Sequence, residues 1–224
     1  MKKYISLFFI FFFYFFLFSQ TFAQNINTST SSNSQRQVLT QLLQKLQLQL
    51  QTLLEQKAKS SVLVSDNLKI TDRIINWDGY MVPNKPRAID TLIIHSTYNS
   101  LGKDIYNVEG VIREYKLYSV GPHYLIDRVG TIYCLVPEKD IGYQAGESKM
   151  PDGRIDVNNF SIGIELIYNK NETPNVVQYS QLSKLVKDIK SRHTITNILG
   201  HNEVAPGRKT DPWNFNWNKF NKDL

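Results

Sequence analysis

Short apolar runs, separated by segments of helical spacing, most constrain what this 224-residue chain can fold into. The clearest runs are residues 91–95 and 161–167, each of a length suited to one buried strand. Residues 108–117 and 179–192 instead carry their apolar side chains at helical spacing. Alternation of such strands and helices predicts one α/β domain over residues 65–224.

A hairpin is predicted inside this domain. Residues 123–127 and 131–136 are apolar runs on either side of Arg128-Val129-Gly130, which is a turn signal. The only cysteine, Cys134, lies in the second run, so the chain cannot form an internal disulfide. We expect Cys134 to act as a small apolar side chain in the core.

The first 23 residues have the three-part layout of a secretory signal peptide. A positive start at residues 1–3 precedes an apolar run at residues 5–18, and small residues precede Gln24. We therefore expect residues 1–23 to be removed and the protein to be exported to the periplasm or cell envelope, or secreted. An uncleaved anchor is the alternative, although the run is shorter than the roughly 20 residues that a membrane-crossing helix needs.

Residues 24–64 are predicted to form a polar linker followed by a Gln/Leu-rich amphipathic helix. Residues 24–35 are too polar to bury a core. Residues 37–59 contain no Gly or Pro. Their leucines recur at spacings of four and three, which is a heptad seam: Leu39, Leu43, Leu46, Leu50 and Leu53. The seam is short for an isolated coiled coil, so self-association, contact with a membrane or envelope, and packing on the main domain all remain open.

The formal net charge of +6 favours an anionic partner, such as a wall polymer, anionic lipid or nucleic acid. No dense Lys/Arg cluster is interleaved with aromatic residues, which argues against nucleic acid.

Residue types that bind catalytic zinc occur in two separate segments. His95 ends an apolar run, and His201 and Asp211 flank a loop that contains Pro and Gly. Two imidazoles and one carboxylate are a common catalytic set, which leaves a fourth position for a water whose pKa the metal lowers to about 7. Each residue also has a simpler interpretation: a lone His at a strand end is usually structural, and Asp211 before a proline can begin a turn.

Of four other polar residues, Glu165 and His123 have two interpretations each, and Lys209 and His193 have a solvent-exposed one. Glu165 interrupts an apolar strand, where a carboxylate is costly to bury unpaired, but strand alternation can also turn it to water. Lys209 can be solvated, as most lysines are. His123 can line a cleft or fill the core, and His193, at the end of a helix, is expected to be exposed.

Four segments together resemble the type 2 N-acetylmuramoyl-L-alanine amidases, a family that includes the peptidoglycan recognition proteins. They are residues 92–97 (LIIHST), 123–127 (HYLID), 159–166 (NFSIGIEL) and 200–212 (GHNEVAPGRKTDP). The resemblance covers roughly residues 70–220 in the order of the family. The last segment is the most specific, because its His, Ala-Pro, Lys and Asp all fall where the family places them.

The resemblance implies a mixed central sheet flanked by helices, with a zinc cleft at the strand ends. It implies one zinc per chain, held by His95, His201 and Asp211. Glu165 would be the general base that takes a proton from the zinc-bound water, and Lys209 would stabilise the oxyanion on the scissile carbonyl. The implied reaction is hydrolysis of the amide between N-acetylmuramic acid and L-alanine in peptidoglycan or muropeptides.

One position departs from the family. Many members have aromatic-His-Ala-Gly where this chain has Tyr143-Gln144-Ala145-Gly146. Gln144 keeps hydrogen-bonding capacity but has no titratable ring, which bears on substrate detail rather than on reaction type. A non-catalytic peptidoglycan-binding module is the main alternative, but such modules typically lack part of the zinc set. An envelope scaffold built on the Gln/Leu helix is a third hypothesis.

Overall fold

The computed structural model describes residues 33–62 and 68–224. The predicted signal segment and most of the predicted polar linker therefore lie outside the described residues. The chain divides into two units between Lys59 and Ser60.

The first unit contains most of the predicted Gln/Leu-rich helix, α1 (Asn33–Val62). The helix begins four residues before the predicted start, and all five seam leucines are exposed. Among the described residues, no helix has the length and apolarity required to cross a membrane.

A six-stranded sheet forms the centre of the second unit. Its strands are β1 (Ile70–Asp72), β3 (Thr91–Thr97), β4 (Tyr124–Ile126), β5 (Ile132–Cys134), β7 (Ser161–Ile167) and β8 (Asn197–Gly200). The order is β1-β5-β4-β7-β3-β8, and only the predicted hairpin β4–β5 is antiparallel. A two-stranded sheet pairs β2 (Tyr80–Met81) with β6 (Ile141–Gly142). The prediction of a mixed central sheet is confirmed.

The helices of this unit are α2 (Val108–Leu117), α3 (Val176–Arg192), α4 (His201–Val204) and α5 (Trp217–Lys222), with a 3-10 turn at Val157–Phe160. The bounds of α2 are those predicted. The observed α3 begins three residues earlier than predicted, because Asn175 and Gln178 form a reciprocal capping box that stabilises the first turn.

Both faces of the sheet are buried. Successive side chains of a strand point to opposite faces, so Leu92 and Ile94 of β3 pack with α3 on one side. On the other side, Leu125 and Ile167 pack against α2, through Val111 and other apolar residues of that helix. His95 and Glu165 belong to this second face by strand parity, which places them beneath α2 and the loops that follow β5.

Two sequence predictions about exposure are corrected by the structure. Cys134 is only half-buried at the edge of the core, although burial still raises the pKa of its thiol to about 11. His193 is half-buried rather than exposed, because its Nε2 lies 2.7 Å from Oε2 of Glu138. This contact comes from a residue 55 positions away in the chain, so the helix pattern alone could not reveal it.

Candidate metal centre

The parallel strands bring the first site residues to one level of the sheet. His95 on β3 pairs directly with Glu165 on β7, and Ile94 pairs with Gly200 of β8. His201 follows Gly200 and begins α4. Since the carboxyl ends of parallel strands meet at one edge of a sheet, His95, His201 and Glu165 gather there.

A folded loop then returns Asp211 to His201. After α4, the backbone N–H groups of Arg208 and Lys209 both donate to the Ala205 oxygen, at 3.2 and 3.0 Å. The backbone N–H of Asn202 donates to the backbone oxygen of Asp211 at 2.8 Å and closes the loop. A folded loop thus brings Asp211 next to His201.

Three side-chain atoms converge at this edge. Nδ1 of His95 lies 3.0 Å from Nδ1 of His201, and these nitrogens lie 3.3 and 3.1 Å from Oδ2 of Asp211. The three residues are only 1%, 3% and 8% exposed. Among the described residues they are the group that could hold a metal ion.

The outer nitrogens of both rings contact oxygen atoms. His95 Nε2 lies 2.5 Å from Oε1 of Gln144, and His201 Nε2 lies 3.1 Å from the backbone oxygen of Ala145. An amide or carbonyl oxygen only accepts, so each Nε2 carries the hydrogen and donates it. With the hydrogens on Nε2, the lone pairs of both Nδ1 atoms point at the same place, beside the Asp211 carboxylate.

The protonation states match this arrangement. Burial, followed by the neighbouring His201, lowers the pKa of His95 to about 4, which keeps that ring neutral at pH 7. Burial alone would raise the pKa of Asp211, but its contacts with the His201 and His95 rings outweigh this effect and lower the pKa well below its usual range. A neutral imidazole and an ionised carboxylate are the forms that bind metals.

The donor set fits zinc. Zinc–nitrogen and zinc–oxygen bonds of about 2.0–2.1 Å in a tetrahedron place neighbouring donor atoms about 3.3 Å apart. The three observed separations are 3.0, 3.1 and 3.3 Å. Two imidazoles and one carboxylate also leave one tetrahedral position open, as in catalytic zinc sites.

Glu165 lies buried beside this cluster, so its side chain does not turn to water. Among the described residues, its Oε2 finds no hydrogen-bond partner. Burial and the negative charge of Asp211 raise the pKa of Glu165 well above its usual range, and the positive charge of Lys209 partly offsets this. Lys209 itself is exposed.

His123 belongs to the core rather than to a cleft. Its side chain is fully buried, Nδ1 accepts the Gly163 backbone N–H at 3.1 Å, and Nε2 lies 3.1 Å from the Asp140 backbone oxygen. Burial and the nearby charge of Arg87 lower its pKa to about 3. His123 is therefore a neutral structural residue.

Three contributors were missed by sequence reasoning. Gln144 was associated with substrate detail, but it is 6% exposed and lies against His95. Ala145 contributes through its backbone oxygen, for which no sequence signal exists. Tyr115 of α2 is buried near Glu165, whose charge, after burial itself, raises the pKa of the Tyr115 hydroxyl well above its usual range.

Known proteins share both sequence and fold with this region. The family model for N-acetylmuramoyl-L-alanine amidase matches residues 85–214, more than half of the chain. The 1,6-anhydro-N-acetylmuramyl-L-alanine amidase AmpD of Citrobacter freundii is 38% identical over 104 residues, 45% of this chain and 55% of that protein. A putative N-acetylmuramoyl-L-alanine amidase of Rickettsia conorii, RC0497, is 30% identical over 149 residues, 60% of this chain and 53% of the relative. The chain thus spans about half the length of these curated relatives.

Solved structures agree with the family match. The crystal structure of a selenomethionine derivative of AmpD has a TM-score of 0.58 at 28% identity, covering 68% of this chain and 94% of that one. The Escherichia coli amidase AmiD, in complex with anhydro-N-acetylmuramic acid-L-Ala-D-γ-Glu-L-Lys, has a TM-score of 0.54 at 26% identity, with 65% of each chain covered. The matched range spans His95, Glu165, His201 and Asp211. This chain belongs to the type 2 N-acetylmuramoyl-L-alanine amidase family.

Proposed function

We propose that this protein is a zinc-dependent amidase that hydrolyses the bond between N-acetylmuramic acid and L-alanine in peptidoglycan or muropeptides. The observation that carries the proposal is the buried convergence of His95, His201 and Asp211 beside Glu165. The names of the relatives support the reaction class, and the ligand of AmiD supports anhydro-muropeptides as one substrate.

His95, His201 and Asp211 would hold one zinc ion through the three atoms that converge. When bound, zinc supplies Lewis acidity, which activates water and polarises the carbonyl of the scissile amide. The open side of the donor set is where substrate and water would meet.

Glu165 is suited to move the proton. Its Oε2 has no hydrogen-bond partner among the described residues, so it is free to accept a proton from the attacking water. Burial and the charge of Asp211 raise its pKa, which favours holding that proton until the leaving amine takes it. The water oxygen becomes bonded to the carbonyl carbon, the carbon–nitrogen bond breaks, and the proton ends on the amine of L-alanine.

Lys209 is suited to stabilise the negative charge that develops on the scissile carbonyl. Negative charge builds on the carbonyl oxygen as water adds, and an ammonium placed near it stabilises the transition state. The effect of Lys209 on the pKa of Glu165 supports a position within electrostatic reach of the reacting atoms.

A second part of the proposal concerns the N-terminal part of the chain. We propose that the chain is exported and that α1 mediates self-association or contact with the envelope. The exposed leucine seam, residues 39–53, supports such a contact because water-exposed apolar surface is stabilised when it is covered.

Digestion of purified anhydro-muropeptides and of ordinary muropeptides, followed by mass spectrometry, tests the reaction. The expected products are free stem peptides that begin with L-alanine, together with sugars that retain the lactyl group. Products cut between two sugars, or between two amino acids, would contradict the proposal. Binding of muropeptides without any cleavage by the zinc-loaded protein would favour the non-catalytic module instead.

A further inference from the structure

Two consecutive residues contact the outer nitrogens of both site histidines. Gln144 accepts from His95 through its side-chain oxygen at 2.5 Å, and Ala145 accepts from His201 through its backbone oxygen at 3.1 Å. One short loop segment therefore sets the orientation of both rings.

This segment is itself held in place. The side-chain oxygen of Asn158 accepts from the backbone N–H groups of Gln144 and Ala145, at 3.3 and 2.9 Å. Arg208, from the loop that carries Asp211, donates to the backbone oxygens of Ala145 and Glu147 at 2.5 Å each. The Gln144 segment and the Asp211 loop are thus tied together.

The side chain of Gln144 occupies a space that β7 leaves for it. A Cβ on Gly163 would lie only 2.6 Å from Cγ of Gln144, so a side chain at position 163 would displace the glutamine. The Gln144 Nε2 donates to Oγ of Ser161 at 2.9 Å. This contact fixes the direction of the amide, so that its oxygen faces His95.

We propose that Gln144 is a positioning residue of the metal centre: by accepting the Nε2 hydrogen of His95, it makes His95 bind zinc through Nδ1. The inference rests on the proposed zinc site. A group that accepts the hydrogen of the ring nitrogen not bound to the metal fixes the tautomer and the ring orientation of a metal-binding histidine. Here a glutamine fills this role at a position where many family members have histidine.

Zinc affinity and the visible spectrum of the cobalt-substituted protein test the role of Gln144. Gln144→Met keeps the length of the side chain but removes the acceptor, so we expect zinc affinity to fall by about 10-fold to 100-fold and the cobalt bands to shift. Gln144→Glu keeps an acceptor oxygen, so this variant should retain the cobalt spectrum of the parent protein. The matched control is Gln178→Met, because Gln178 is fully buried but donates to the Ile167 backbone oxygen instead of contacting the site.

The outcomes separate this inference from the proposed function. If the parent protein binds zinc and cleaves muropeptides, but folded Gln144→Met has the parent affinity and spectrum, only the role of Gln144 is wrong. If the parent binds no zinc, both fail. Should Gln144→Met not fold, nitrogen-15 NMR of the zinc-loaded parent decides: a protonated Nε2 and a metal-bound Nδ1 on His95 support the inference, and binding through Nε2 overturns it.

Discussion

His95 and Glu165 are directly paired residues on the parallel strands β3 and β7. Paired residues on neighbouring strands point to the same face, with the strands about 4.8 Å apart. The sheet itself therefore places a proposed metal ligand beside a proposed general base. Asp211 instead reaches the site through a loop. We expect substitution of Glu165 and substitution of Asp211 to have different effects on zinc binding and rate.

The convergent donor atoms predict about one zinc per chain. Two imidazoles and one carboxylate match the ligand set of catalytic zinc with an open position. Metal analysis of protein purified without chelator is expected to find zinc, and chelation should abolish muropeptide cleavage until zinc is returned. An active preparation that contains no zinc and was never chelated would rule out this site.

Substitution of Glu165 should separate chemistry from metal binding. Glu165→Gln preserves size but removes the base, so the single-turnover rate should fall by on the order of a hundredfold or more while zinc content stays unchanged. Lys209→Ala is expected to behave in the same way, because an oxyanion partner acts mainly in the transition state. Loss of zinc from Glu165→Gln would make Glu165 a ligand, and full activity would mean that another residue is the base.

Substitution of Asp211 should affect the metal itself. Asp211→Ala removes the anion that both His95 and His201 face, at 3.3 and 3.1 Å. We expect zinc affinity and activity to fall together, as measured by chelator competition and single-turnover rates. Activity lost at unchanged zinc affinity would show that Asp211 is not a ligand.

Two elements at the site, β7 and α2, were predictable because their apolar patterns are long, whereas β8 and the short helix α4 that begins at His201 were not predicted. The observed β7 and α2 have the predicted bounds, since seven and ten patterned residues suffice. The strands β2 and β6 have two residues each, too few for any pattern to emerge.

The direction of Glu165 could not be predicted from periodicity. Alternation separates the two faces of a strand. Helices cover both faces of a mainly parallel sheet, however, so the sequence pattern identifies neither face as the solvent-exposed one. The family resemblance supplied the assignment instead. The contact between Gln144 and His95 joins residues 49 positions apart, and sequence spacing says nothing about such a pair.

A pH-dependent contribution to stability is predicted at Glu138. Its carboxylate accepts hydrogen bonds from Tyr124, Arg192 and His193, each at 2.7 Å. Burial alone would raise the pKa of Glu138, but these bonds outweigh it and lower the pKa. A lowered folded-state pKa stabilises the fold above the unfolded-state pKa of about 4.3, and this stabilisation is lost as pH falls through the folded-state value.

Glu138→Gln should therefore lower the free energy of unfolding at pH 7 by about 1–3 kcal/mol, the scale of hydrogen bonds to a charged group. Urea unfolding at pH 7 and near pH 3 should show the difference shrinking at the lower pH. Asp188→Asn is the matched control, because Asp188 also pairs with Arg192. The Asp188 side chain is 37% exposed, against 15% for Glu138, and should contribute little to the free energy of unfolding. An equal loss at both pH values would assign the effect of Glu138→Gln to packing.

The last prediction concerns α1 and the boundary at residue 65. The site residues and the sheet all lie beyond residue 68, and the first strand begins at Ile70. A shortened chain that starts at residue 65 is therefore expected to fold, bind zinc and cleave soluble muropeptides at the rate of the full chain. Sedimentation and binding to isolated envelopes should show that it has lost any self-association or envelope contact.

A full-length variant separates the leucine seam from chain length. Leu43→Gln combined with Leu50→Gln replaces two exposed seam residues with the residue type that already surrounds them, so the helix itself should persist. We expect this variant to match the shortened chain in association and the parent in catalysis. If the shortened chain folds but does not cleave muropeptides, α1 belongs to the catalytic unit and the boundary at residue 65 is wrong. If association survives in both proteins, the seam is not the surface that mediates it.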